Sequence, residues 1–345
     1  MKEIGNSFII GIPGTEADQT TLSIIKEYGI GGVILFSKNI ETPEQVAELC
    51  KNLQNASLKY QDSPLLIAID QEGGRVSRLK PPFSQSAGNW YISCAKDPVK
   101  EARDFSQKTA YEMKLVGINM NLAPVLDVCY PCAEFLRDRT FGSDPKTAAL
   151  LGQVIIEEMN KNGIISTAKH FPGLGPCKID PHKEVPVVDI DWDKLERIHI
   201  YPFKKAIARG VPAIMVSHGI YRCIDPLFPA SVSYKVIRLL RNTLRFDGLI
   251  ITDDMEMGAI KHRFDLAEAC IMSIKAGVDI VLVCKDQTIV IKAIEMLKQA
   301  LKEKEISKED LLCSYKRIHQ IKKRFSLEQI DISVVRVKEY FKRRK

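Results

Sequence analysis

Residues able to bind and to exchange protons recur directly after short apolar runs. Leu65–Asp70 ends in a carboxylate and opens the phrase Asp70-Gln71-Glu72-Gly73-Gly74-Arg75-Val76-Ser77-Arg78. Leu122–Asp127 ends in another, and Arg139-Thr140-Phe141-Gly142 follows it. Three further runs end in Lys169-His170-Phe171-Pro172-Gly173, Ser217-His218 and Thr252-Asp253-Asp254. Carboxylates accept from hydroxyls, and Arg and Lys donate to oxygens, so this set suits a polyhydroxylated substrate. Asp180-Pro181-His182 adds a second chemistry. A carboxylate two residues before an imidazole can hold one ring nitrogen and leave the other free for proton transfer. Taken singly these features are weak, because a terminal Asp most often caps a loop and an Asp-x-His can be an incidental exposed pair. The signal is that five such motifs stand at five run ends.

Other chemistries lack their motifs. There is no Gly-x-x-x-x-Gly-Lys-Ser/Thr and no Gly-x-Ser-x-Gly, and Gly29-Ile30-Gly31-Gly32 precedes a strand instead of opening a helix. His170, His182 and His218 could converge on a metal, but no His-Glu-x-x-His helix presents them, so neither metal nor cofactor is expected. Cys129-Tyr-Pro-Cys132 has no second pair and no earlier histidine, which reads as two ordinary thiols.

The elements that must position these residues follow from the apolar runs. Eight stretches read as strands buried on both faces: Phe8–Ile12, Gly32–Phe36, Leu65–Asp70, Met120–Leu126, Ile164–Lys169, Ala213–His218, Leu249–Asp253 and Asp279–Cys284. Segments of helical period separate them. Pro43–Leu58 is the clearest, with Thr42 as N-cap and Pro43 at the first helical position. Trp192–Arg209 contains Pro202, which predicts a kink or a break. Strand then helix, eight times over, predicts an α/β fold of the (β/α)8 TIM-barrel class, favoured over a doubly wound open sheet. Residues 1–301 would form the barrel and residues 302–345 a basic C-terminal helical extension of the same domain. Two connections, 71–98 and 170–191, are long, and both leave the carboxyl end of a strand, where barrel enzymes build their sites.

The formal net charge is +7. Residues 302–345 hold 14 Lys+Arg against 7 Asp+Glu, while residues 1–301 hold 36 of each sign. The excess therefore belongs to the tail and says little about the substrate. The closing Lys342-Arg343-Arg344-Lys345 reads as a solvated helical end. With no interleaved aromatics, nucleic-acid binding is not expected. No run approaches the roughly 18 apolar residues of a membrane span, so no membrane partner is expected. Nine scattered cysteines and the absence of a secretory leader point to the cytoplasm. The pattern is silent on oligomeric state.

In order and spacing these motifs resemble the single-domain bacterial β-N-acetylglucosaminidases of glycoside hydrolase family 3. The likeness runs from Gly31–Phe36 and Asn39-Ile40 through Asp70–Arg78, Leu122–Asp127, Arg139–Gly142 and Lys169–Gly173. It continues through Asp180–His182 and Pro229-Ala230-Ser231 to Gly248–Met257. The resemblance implies a retaining mechanism in which Asp253 is the nucleophile, His182 the acid/base and Asp180 its orienting partner. It implies that Asp70, Arg78, Arg139, Lys169 and His170 bind the terminal N-acetylglucosamine of muropeptides, the fragments of peptidoglycan. Order alone does not choose between Asp253 and Asp254; the family match favours Asp253. Three positions depart from the family pattern. Leu174 replaces a second His, Pro176-Cys177 replaces Asp-Thr, and Pro181 replaces the Ser between Asp and His. A phosphorylase on the same fold, or a sugar-binding barrel without catalysis, are the alternative readings.

Overall fold

The computed structural model describes residues 2–129, 133–329 and 331–344. Eight parallel strands close into a barrel in sequential order. They are β1 (Phe8–Gly11), β2 (Gly32–Leu35), β3 (Leu66–Ile69), β4 (Met120–Asn121), β5 (Ile165–Phe171), β6 (Ala213–Val216), β7 (Leu249–Asp254) and β8 (Ile280–Val283). The predicted TIM barrel is the fold found, and each strand lies inside the run that announced it, apart from small shifts at the ends.

The strands are buried on both faces because alternate side chains serve two cores. Ile9, Ile34, Leu66, Met120, Ile165, Met215, Leu249, Ile251 and Leu282 fill the barrel interior. Phe8, Ile10, Val33, Ile67, Ile69, Ile214, Val216, Ile250 and Val283 face outward against the helices. Asp70 continues the inward series of Leu66 and Ala68. In β7 the register shifts between Ile251 and Asp254, so the last residues of that strand are placed by their contacts.

The helices are α1 (Gln19–Tyr28), α2 (Pro43–Gln61), α3 (Pro98–Leu115), α4 (Pro145–Lys161), α5 (192–208), α6 (234–243), α7 (Leu266–Ala276) and α8 (Gln287–Lys302). Most start where the sequence supplies a capping oxygen for otherwise unpaired N–H groups. Thr42 accepts from Gln45 N at 3.1 Å, and Asp18, Asp97, Asp144, Asp265 and Asp286 act alike. Helix α5 does not break at Pro202. It widens to a π turn over Leu195–Ile200 just before the proline, which has no N–H for the carbonyl four residues back.

Beyond α8, α9 (Lys308–Arg324) plugs the lower end of the barrel, where Ile318 and Ile321 join the interior cluster. The final helix, α10 (Val334–Lys342), packs beside α2 and carries Phe341 to an edge contact with Phe83, ring centres 4.8 Å apart. Lys342, Arg343 and Arg344 are exposed, as expected of a solvated helical end, and Arg344 also bonds the buried carboxylate of Glu112 and reaches Ser84 Oγ at 3.1 Å. Lys345 lies outside the described residues. No helix among the described residues is long and apolar enough to cross a membrane.

Lys322 of α9 is buried beneath the barrel, where its ammonium meets Asn6 Oδ1 and Ser63 Oγ, each at 3.4 Å, and no carboxylate among the described residues forms an ion pair with it. Burial lowers its pKa to about 7. Between about pH 7 and the free-lysine value of about 10.4 the unfolded chain binds the extra proton, so this residue makes stability rise with pH across that window. Lys322→Met is expected to be more stable than the parent at pH 7, with the difference shrinking by pH 10, as measured by urea unfolding.

Candidate active site

The site is assembled from the carboxyl ends of β3, β5 and β7 and the long loops after them. The chain leaving β3 folds at once into a two-stranded hairpin, Gln71–Gly73 against Val76–Ser77. Gly73 and Gly74 make its turn at φ of 95° and 60°, values that suit glycine. The buried amide of Gln71 folds the returning strand. Its oxygen accepts from Arg78 N at 2.8 Å and Leu79 N at 3.0 Å, and its nitrogen donates to Ser77 Oγ at 3.0 Å. Arg78 is thereby turned toward Asp70, 3.4 Å away, with its guanidinium 5.6 Å from the Phe36 ring centre.

Lys169 stands between two carboxylates, 2.8 Å from Asp70 and 2.7 Å from Glu72. Glu72 also grips Arg139 through two bonds of 2.9 Å. Burial alone would push the Glu72 carboxyl up; Arg139 and Lys169 outweigh it and hold the group well below the ordinary carboxylate value. Asp70, Arg78, Arg139 and Lys169 are therefore one network, with Glu72 at its centre. Sequence reasoning gave Glu72 no role, although it stands two residues after Asp70, where a continued strand would keep it on the same face.

A second network runs through Asp127, which is fully buried. One carboxylate oxygen meets His170 Nδ1 at 2.7 Å, and the other accepts from Leu174 N at 2.6 Å and His170 N at 3.4 Å. Beside a carboxylate Nδ1 carries the proton, so the ring is oriented with Nε2 toward Asp253, 4.0 Å away. A cis peptide joins Lys169 to His170.

The two candidate carboxylates of β7 have opposite surroundings. Asp253 keeps 20% of its side chain open at the mouth. Burial works against its charge, but the facing imidazole of His170, the Lys169 ammonium and the N–H of Asp254 hold its pKa below the usual value. The Asp254 carboxylate is engaged by backbone, accepting from Glu256 N at 3.1 Å and Cys284 N at 3.3 Å. Burial raises its pKa to about 6. His218 fixes the backbone here, its Nε2 2.9 Å from Asp254 O and its Nδ1 2.7 Å from Ser231 Oγ. Facing a carbonyl, Nε2 is the donor, and burial lowers the imidazole pKa, so the ring is neutral.

The Asp180–His182 pair forms as its spacing predicts. Asp180 Oδ1 takes both His182 Nδ1 at 2.8 Å and His182 N at 2.9 Å, and this holds the Asp180 carboxyl below its ordinary pKa despite burial. The His182 side chain is 66% exposed. The pair lies on the loop after β5, and no ion pair joins it to Asp253 among the described residues. At the departures from the family pattern, Leu174 is buried in the core, and Cys177 is a buried free thiol whose pKa burial pushes up. Cys129 is disulfide-bonded, which corrects its reading as an ordinary thiol; Cys132 lies outside the described residues.

An inward Asp at the end of β7, oriented imidazoles beside it and a ring of carboxylates, Arg and Lys around it make a mouth suited to a sugar. The sequence matches the glycosyl hydrolase family 3 N-terminal domain over residues 6–321. It is 34% identical to a beta-hexosaminidase of Idiomarina loihiensis over 282 residues, 81% of this chain and 84% of that protein. The structure superposes on a glycoside hydrolase family 3 β-N-acetylglucosaminidase from Paenibacillus sp. with TM-score 0.93 and 32% identity, covering 99% of this chain and 68% of that one. It also superposes on a β-N-acetylhexosaminidase from Beutenbergia cavernae with TM-score 0.86 and 28% identity, covering 93% and 97%. The chain belongs to glycosyl hydrolase family 3. Within that family it is a glycosidase.

Glu72→Gln keeps the shape of the side chain and leaves two buried cations short of an anion. It is expected to cost on the order of 3 kcal/mol of unfolding free energy, read by urea denaturation.

Proposed function

We propose that this enzyme is a retaining exo-β-N-acetylglucosaminidase that removes terminal N-acetylglucosamine β-1,4-linked to muramic acid in peptidoglycan fragments. The observation that carries the reading is the setting of Asp253: inward, ionised, partly open, and 4.0 Å from an imidazole that Asp127 orients. The names of its relatives, beta-hexosaminidase and β-N-acetylglucosaminidase, supply the sugar.

The reaction runs in two steps. An Asp253 oxygen attacks the anomeric carbon as the bond to the leaving oxygen breaks, and His182 Nε2 gives that oxygen its proton. A water then attacks the same carbon, loses a proton to His182 and frees Asp253. Asp180 keeps Nδ1 of His182 protonated and stabilises the imidazolium of the resting acid. Asp70, Arg78, Lys169 and His170 take the sugar hydroxyls, with Arg139 holding the network from beneath. The His182 side chain is 66% exposed, open to the leaving oxygen of a substrate that fills the mouth.

Asp253→Asn keeps volume and hydrogen bonding but removes the nucleophilic charge. Release of a chromophore from an aryl β-N-acetylglucosaminide is expected to fall by at least about 1,000-fold. Full activity in that variant would sink the nucleophile assignment. The sugar product of the parent is expected to appear first as the β-anomer, as followed by proton NMR, and no sugar phosphate is expected when phosphate is added.

A further inference from the structure

The loop that carries Asp180 and His182 is tied at three places. At its start Leu174 N is held by Asp127. At its end Val187–Val188 pair in parallel with Ile220–Tyr221, which lie on the loop after β6. Between these, at the dyad itself, Ala259 N donates to Pro181 O at 3.0 Å and Gly258 N donates to His182 O at 3.2 Å. Both donors belong to the short helical turn Gly258–Lys261, a few residues after Asp253 in the chain.

The approach of the two backbones is too close for any side chain at residue 258. A Cβ there would collide with the carbonyl oxygens of Lys183 and His182, the latter at 2.7 Å. These are backbone atoms and cannot rotate aside. Gly258 has no left-handed φ to account for it, so its requirement comes from space alone. The segment offering this seat is itself fixed. His218 bonds Asp254 O, Glu256 N and Cys284 N bond the Asp254 carboxylate, and the Glu256 carboxylate accepts from Lys285 N at 2.6 Å.

We propose that Gly258 is a positioning residue for the acid/base: its missing side chain lets the Asp180–His182 turn seat on the segment that also carries the nucleophile. This rests on the reading of His182 as acid/base. One rigid stretch, residues 253–259, then sets the spacing between attacking carboxylate and proton donor, and the loop itself needs no rigidity of its own. Gly258→Ala displaces the turn and leaves Asp253, Asp70, Lys169 and His170 in place.

The test uses substrates that differ in their need for a proton. An alkyl N-acetylglucosaminide needs protonation of its leaving oxygen; a 2,4-dinitrophenyl one does not. In Gly258→Ala, kcat/KM on the alkyl substrate is expected to fall about 100-fold, and that on the dinitrophenyl substrate by no more than about 3-fold. Azide, a nucleophile that needs no base, is expected to raise kcat on the dinitrophenyl substrate in the variant and to leave the parent unchanged. Ala259→Pro replaces the N–H donated to Pro181 with a ring carbon that pushes against the same oxygen, and is expected to show the same split. An equal fall on both substrates, or none, in these variants overturns the proposal. His182→Ala is the control. If it lacks the split, the acid/base reading fails; if it shows the split and the position 258 and 259 variants do not, only the positioning role fails.

Discussion

Two cations cannot share the mouth of a closed barrel without an anion beneath them, and the Glu72 carboxylate is that anion. It binds Arg139 through both oxygens and Lys169 through one, and it is itself buried. Removing charge from water is costly, and close opposite charges with good geometry offset that cost. The consequence reaches outward. Lys169, anchored from below, spans to Asp70, and Asp70 meets Arg78. The inner wall of the site is thus a fixed alternation of sign, suited to hydroxyl groups that both donate and accept. The hairpin after β3 exists in this form because Gln71 supplies its internal hydrogen bonds and two glycines turn it.

Much of the scaffold was legible because a parallel barrel strand is buried on both faces and so appears as an uninterrupted apolar run. Runs such as Leu249–Asp253 announce both the strand and the residue at its rim. At the end of β7 the register shifts after Ile251, so contacts and not parity make the choice: Asp253 faces His170, while the Asp254 carboxylate is taken up by Cys284 N and Glu256 N. The dyad was legible for a simpler reason, since Asp180 and His182 are close in sequence and their hydrogen bond is local.

What escaped reading was long-range. Glu72 sits where a loop was expected, and its partners are 67 and 97 positions away in the chain, at Arg139 and Lys169. Asp127 was visible as a rim residue, but nothing in its neighbours says that it will orient His170. Arg344 belonged to a cluster of charges that looked solvated, and only the fold brings it to Glu112. The proline in α5 was read correctly as an obstacle, but the helix absorbs it by widening. Pairing across a fold is invisible to composition, and buried charges are where that blindness matters most.

The plug at the base of the barrel has a further bearing on traffic. Side chains fill the axis, and Ile318 and Ile321 of α9 seal its lower end. The mouth therefore has no exit along the barrel axis, and whatever binds there must enter and leave by the same face. For the proposed reaction this means that the freed sugar sits deepest and the remainder of the fragment lies above it. The larger piece has to depart before the smaller one, and a water can follow it in only after that exit.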